Sequence, residues 1–363
     1  MAIVMEVNKT KLRLSSDANT ILRLRPMENK NKLAALHILN TLMPYTYQAG
    51  SFFNPLLGTR IVRLSLKHGL HKNCALGFCT LGWVLCGNDR KMGYRLGRIA
   101  LTIIEGALAK ELIPRVHMFF YGFVHHWRRP LRESLDHLQN AAQVGLESGD
   151  MEYAYQAPIF KCSHSTACGV PMTETEKMLI DTIQLIQVHK QSNIVMVAKI
   201  MLQFLDNMTG RSPDPTVLAG EVIDADTFST EAVPSTVQVA WYGIGANVAF
   251  RFGDYEVANQ LTEKRRQMAF EPNALFSFVV LRQTEALLAV ARARQGINRR
   301  KGYRFGRKCF LQMKAWAADC PENFRCRMYF LEAELRSLNG IKCDNYSIQH
   351  LYDLGIEDAL KQG

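Results

Sequence analysis

The side chains of this 363-residue chain most able to grip another molecule lie in the run RARQGINRRKGYRFGRK, from Arg292 to Lys308. Eight of its seventeen residues are basic, none is acidic, and Tyr303 and Phe305 stand among them. Guanidinium and ammonium groups neutralise phosphates and carboxylates, and interleaved rings can stack on bases. The candidate partner-binding residues are therefore Arg292, Arg294, Arg299, Arg300, Lys301, Tyr303, Arg304 and Arg307. The same run also suits the solvated outer face of a helix whose charges pair with acidic residues of a neighbour. Three readings stay open on these residues: a solvated face, an acidic or phosphorylated protein partner, and nucleic acid.

Two other constellations have chemically capable residue types. Cys162, His164 and Cys168 are of zinc-ligand type, but a closed site takes four ligands and no C-x-x-C or H-x-x-x-H pair stands nearby. They read as buried thiols around a histidine. His125 and His126, beside Trp127, have acid–base groups, yet no carboxylate or nucleophile shares the local pattern, so they read as packed histidines at a helix end. No G-x-x-x-x-G-K-[ST] loop, kinase set, hydrolase motif or cyclase-sized catalytic segment is present. The expectation is a chain that is not an enzyme and uses no cofactor and no metal.

The elements that must position these residues are clearest between residues 115 and 154. Val116 to Trp127 are almost all apolar or aromatic, and the run stops at Arg128-Arg129-Pro130. Proline lacks an N–H and fixes φ, so a new helix starts near Pro130. Leu131, Leu135, Leu138, Ala142 and Leu146 then recur at helical spacing up to Ser148. Gly149 suits a left-handed helix end, and Asp150 can accept hydrogen bonds from the first N–H groups of the next helix.

The same pattern extends along the chain. Residues 1–30 read as a polar lead-in, and 31–208 as a first set of helices. The first helical stripe, Leu33 to Leu42, ends at Pro44, and Ala157-Pro158 kinks or stops the helix that opens at Asp150. Asn73 to Cys86 is nearly all apolar with small residues inside, which predicts a buried inner helix. Thr173 with Glu176 has capping-box spacing. Residues 209–236, with Pro213, Pro215 and Pro234, read as a flexible loop, and helices resume over 237–363.

Two motifs repeat. Gly-Asp-(Met/Tyr)-Glu-(Tyr/Val)-Ala occurs at 149–154 and 253–258. GNDRKMGYRLGR (87–98) returns as GINRRKGYRFGR (296–307), with seven of twelve positions matching without a gap. Gly253 to Gly296 spans 43 residues, the size of one helical hairpin. Such a hairpin cannot bury its apolar face alone, so neighbours stack. The expected fold is all-α, an α-solenoid of antiparallel helical hairpins close to the tetratricopeptide pattern.

Bulk properties bound the rest. The net charge of +11, from 44 basic and 33 acidic side chains, favours acidic partners. Nine cysteines, an odd number set mostly among apolar neighbours, suit reduced thiols and hence a cytoplasmic location. The N-terminus lacks the pattern of a secretion signal, and no apolar run approaches the ~20 residues of a membrane helix.

The segments LSLKHGL (64–70), GYRLGRIAL (93–101), HWRRPLRESL (126–135) and GLESGDMEYA (145–154), and more weakly DPTVLAGE (214–221) and ENFRCRMYFLEAEL (322–335), carry a resemblance. The chain resembles the tetratricopeptide-like helical region of large multidomain signalling proteins. In those, a protein-kinase-like module and a STAND-class ATPase precede the helices, and GAF, histidine-kinase or nucleotide-cyclase modules follow. The resemblance implies a scaffold between input and output modules, here without the catalytic modules: a standalone derivative, or one segment of a longer chain. The expected function is a non-enzymatic protein-interaction scaffold in signal transduction, whose partner is acidic or is a kinase, ATPase or cyclase module. The alternative is a basic helical-repeat protein that binds nucleic acid.

Overall fold

The computed structural model describes residues 2–14, 17–49, 53–188, 192–224, 228–268, 274–339 and 345–362. Every regular element among them is helical, and the one extended feature is an isolated bridge between Pro26 and Leu70. The chain divides into two compact units, one of residues 1–128 and 133–161, the other of residues 129–132 and 162–363.

The first unit holds α1 (Ala2–Lys11), α2 (Ala18–Leu22), α3 (Lys30–Gln48), α4 (Phe53–His68), α5 (Ala75–Cys86), α6 (Arg90–Gly106), α7 (Ile113–Phe119), α8 (Ser134–Ser148) and most of α9 (Met151–Ala167). Ten of the twelve residues of α5 are buried, as its composition predicts. Around it Trp83, Phe119, Phe123 and Phe160 form an aromatic cluster, with Trp83 and Phe123 centroids 4.9 Å apart and Phe123 and Phe160 5.0 Å. The expected polar lead-in is partly helical. Val7, Thr10 and Leu14 are buried at helical spacing, α1 packs on α4, and Glu6 pairs with Arg63. A buried threonine in place of an apolar residue hides that period from a hydropathy reading.

Pro44 does not end its helix as expected, and of the two expectations at Pro158, a kink or a stop, the stop does not occur. Helix α3 runs through Pro44 to Gln48, and α9 runs through Pro158 to Ala167. Each proline removes one helical hydrogen bond, a cost that tertiary packing offsets. The Val116–Trp127 segment is also not one uniform helix. Helix α7 gives way to a π-helical turn at Phe120–Val124 and a 3₁₀ turn at His125–Trp127.

The second unit holds α10 (Met172–Val188), α11 (Ser192–Thr209), α12 (Ser235–Arg251), α13 (Tyr255–Arg266), α14 (Phe276–Arg294), α15 (Arg299–Asp319), α16 (Pro321–Asn339) and α17 (Asn345–Gln362). Helix α10 begins at Met172, so Thr173 lies inside the first turn and does not cap it. From α12 onward each helix packs on the next, and α12 also packs on α14 and α14 on α16. Residues 210–224, in the stretch between α11 and α12 expected to be flexible, are instead packed. Asn207 Nδ2 donates to the Val217 carbonyl at 2.7 Å, Gln203 Oε1 accepts from Ile223 N at 3.2 Å, and Leu218 and Ile223 enter a core with Ile200, Val237 and Val248. Buried amide side chains thus satisfy a backbone that has no ladder of its own. Residues 129–132 are held to α16 by Asn323, whose Oδ1 accepts from Leu131 N and whose Nδ2 donates to the Arg129 carbonyl, both at 2.8 Å.

The repeated motifs mark repeated joints. Gly149 and Gly253 both adopt left-handed φ, +76° and +87°, and the Ala154 and Ala258 amides each close on the preceding aspartate carbonyl at 3.0 Å. Ala154 and Ala258 are fully buried, against Gly145 in the first copy and in a cluster with Ala249 in the second. In the other motif a Cβ on Gly93 would stand 2.5 Å from the Gly82 carbonyl, and one on Gly302 2.6 Å from the Ala289 carbonyl. Both glycines let the motif's helix touch the one before it. Gly302→Ala should therefore cost ~1–3 kcal/mol by overpacking, although alanine is the better helix former. Gly106→Ala, with nothing within 4 Å of the added carbon, should instead gain up to about 1 kcal/mol. Urea denaturation of the two variants checks the contrast, and equal effects would refute the packing role.

Candidate partner-binding surface

The structure divides the basic run by partner. Arg292 and Arg294, in the last turn of α14, are anchored: Arg292 Nη1 lies 2.8 Å from Glu256 Oε2, and Arg294 Nη2 lies 2.5 Å from Glu334 Oε2. Arg299, the first residue of α15, donates to the Leu338 carbonyl at 2.8 Å. These three tie neighbouring helices together and match the solvated-face reading. Tyr303 is half-buried, and the Phe305 ring is covered by the Arg266 guanidinium, 4.8 Å from its centroid.

Arg300, Lys301, Arg304, Arg307 and Lys308 are exposed and have no acidic partner among the described residues. They do not scatter around α15, because its buried face is taken by Gly306, Cys309, Met313 and Trp316. That face points Arg300, Arg304 and Arg307 outward at steps of four and three. The same stripe continues to Leu311, which is 54% exposed, and to exposed Lys314, neither of which is in the basic run. The helical period from 300 through 304, 307, 311 and 314 was the signal for them. At 1.5 Å per residue, Arg300 and Lys314 stand ~21 Å apart along the axis. The result is an open, single-signed strip with one apolar side chain, Leu311, between Arg307 and Lys314.

The other constellations are enclosed. Cys162 and His164 are buried, Cys168 is half-buried, and among the described residues no three His, Cys, Asp or Glu side chains gather as a metal site. All eight described cysteines are free thiols. His125 and His126 are buried, but the sequence reading missed a carboxylate: Glu133 Oε2 lies 3.3 Å from His125 Nε2. The intervening 3₁₀ turns and Pro130 bring it back, which no helical spacing shows. Tyr121 stacks on His137 at 3.9 Å, and His117 lies edge-on to both rings. Burial, and then the His137 charge, pull His117 down to about 4, so it stays neutral near pH 7. Two surface hollows, of about 610 Å³ around Tyr242 and Lys264 and about 330 Å³ around Ile183 and Lys199, have no histidine in their lining.

Set against known proteins, the chain matches no family model, no curated protein and no solved structure at a significant level.

Proposed function

We propose that this chain is a non-enzymatic helical-repeat scaffold that binds an acidic protein partner along the outer face of α15, in a signalling role. The observation that carries the reading is the set of five exposed basic side chains on one helix that no acidic side chain among the described residues engages. A protein partner fits better than nucleic acid because Phe305 is already covered by Arg266 and Tyr303 is half-buried, which removes the rings that would stack on bases. The solenoid reading is supported by the order in which α12 to α17 pack, each on the next and alternate ones on each other, and by the two repeated joints. The resemblance to the helical region of multidomain signalling proteins points the same way.

The test uses a fluorescent glutamate-rich peptide and a single-stranded RNA of equal charge, titrated with the wild-type chain and with an R300E/R304E/R307E variant. The peptide should bind, and the variant should lose at least about tenfold in affinity, ~1.4 kcal/mol. RNA binding that is tighter than peptide binding and falls steeply with salt would favour the nucleic-acid alternative instead.

A further inference from the structure

A second pair of guanidinium groups, on α12 and α16 and not on α15, has no acidic partner among the described residues. Arg251, the last residue of α12, donates from Nε to Asn247 Oδ1 at 2.8 Å, and Asn247 Nδ2 in turn donates to Thr284 Oγ1 of α14 at 2.6 Å. On the adjacent residue of α14, Gln283 Oε1 accepts from Arg327 Nη1 of α16 at 2.5 Å. One turn of α14 thus orients two guanidiniums from the helices on either side of it, and both contacts are to neutral amides.

Neither arginine has an acidic partner among the described residues. Arg327 also stands over the Phe276 ring at 5.4 Å, and its buried Nε has no acceptor. Burial, with the Arg251 charge adding to it, holds the Arg327 guanidinium below the usual arginine range. The nearby thiols do not supply the missing charge. Burial raises Cys168 to about 11 and raises Cys326 as well, even with cationic neighbours, so both stay protonated at neutral pH. Elsewhere in this unit guanidiniums meet carboxylates, as Arg265 meets Glu285 and Arg325 meets Asp358. Arg251 and Arg327 are oriented by polar contacts that leave donors free and carry no compensating charge.

We propose that Arg251 and Arg327 form an anion site for a phosphate monoester. Two uncompensated positive charges match a group that carries about −1.5 to −2 at pH 7, where a carboxylate supplies only one charge. Guanidinium forks are suited to bidentate contact with phosphate oxygens. Arg251 is exposed and gives the ligand its entry side, while half-buried Arg327 forms the inner wall against Phe276. The ester can be borne by a phosphorylated protein segment, a small metabolite or a lipid headgroup.

Calorimetric titration of the full chain with phenyl phosphate tests the site. One phenyl phosphate should bind per chain, benzoate should bind at least tenfold more weakly, and R251Q and R327Q should each weaken binding at least tenfold. R300E/R304E/R307E should leave it unchanged, so failure of the strip on α15 and failure of this site give different results. Without ligand, R327Q should melt no lower than wild type, because it removes an uncompensated charge; if it fails to fold, exposed R251Q reads the site alone. A phosphoserine peptide that binds more tightly than phenyl phosphate assigns a protein source, and vesicles containing phosphatidic acid that do so assign a lipid source. Both outcomes support the site. No saturable binding of phenyl phosphate at millimolar concentration, equal binding of benzoate, or wild-type affinity in both R251Q and R327Q would overturn it.

Discussion

Trp127→Ala is expected to lower the stability of the first unit by ~3–5 kcal/mol, the cost of emptying a fully buried indole site. Trp127 is 1% exposed, at the end of the α–π–3₁₀ segment, with buried His125 and His126 immediately before it and Leu131 buried soon after. The π turn and the 3₁₀ turn leave this backbone with poorer hydrogen-bond geometry than an α-helix has, so packing must hold it. The surroundings are also poorly able to collapse, because stacked rings of Phe119 and Phe123 and the edge-on pair Phe120 and Tyr121 fill the preceding turns. Urea denaturation followed by circular dichroism reads the effect. Leu108→Ala, at a side chain 85% exposed, is the control and should stay within about 0.5 kcal/mol of wild type. A Trp127→Ala midpoint equal to that of wild type would mean that the indole carries no packing energy.

The helices legible in the sequence are those whose apolar period is unbroken. Helices α5 and α8 lie close to where spacing and joint residues put them, and α12 through α17 fill the span 237–363 read as helical, because Gly149, Gly253 and Asp254 act locally: two left-handed turns, and a cap in which Asp254 accepts from Val257 N at 3.0 Å. Asp150 shows the limit of the same argument. Its sequence matches Asp254, yet its carboxylate lies 2.8 Å from Arg115 Nε, a residue 35 positions away. Pro44 misleads for a related reason, as does the stop that Pro158 allows: a local rule about proline loses to packing energy that only the folded chain supplies. The packing of residues 210–224 was hidden because their partners, Gln203 and Asn207, read as polar positions on a helix and not as buried donors and acceptors.

For the candidate surface, composition found the run but not its division. Arg292, Arg294 and Arg299 look like Arg300, Arg304 and Arg307 until Glu256, Glu334 and the Leu338 carbonyl are placed beside them. Nothing in the sequence sets Arg251 and Arg327 apart from the other arginines, and what distinguishes them is the lack of a carboxylate partner among the described residues. Gly93 and Gly302 were visible as matches, but the reason for the match is a close contact with the preceding helix, which the motif alone does not state.

Glu285 carries the strongest electrostatic prediction. Its carboxylate is 3% exposed, is bonded through Oε1 to equally buried Arg265, and has Arg266 and Arg282 at 3.2 and 3.1 Å from Oε2. Burial alone raises its pKa, but the three guanidiniums outweigh burial and leave it below the ordinary glutamate value of 4.5. Glu285→Gln keeps the shape and removes the charge, so Arg265 is left buried without compensation, at a cost of ~3–5 kcal/mol. The sign with pH follows from the lowered value. A carboxylate whose folded pKa lies below its unfolded one stabilises the fold fully above the unfolded value, and loses that contribution as pH falls through the folded value. The gap between wild type and Glu285→Gln should therefore be full at pH 7, begin to shrink as pH drops below about 4.5, and be nearly closed once Glu285 is protonated in the folded chain. Urea midpoints at a series of pH values measure it, with Glu256→Gln, whose carboxylate is 64% exposed, as a control expected to change little at any pH. A gap between wild type and Glu285→Gln that stays constant from neutral pH down to pH ~2 would show that the charge of Glu285 does not stabilise the contact between α13 and α14.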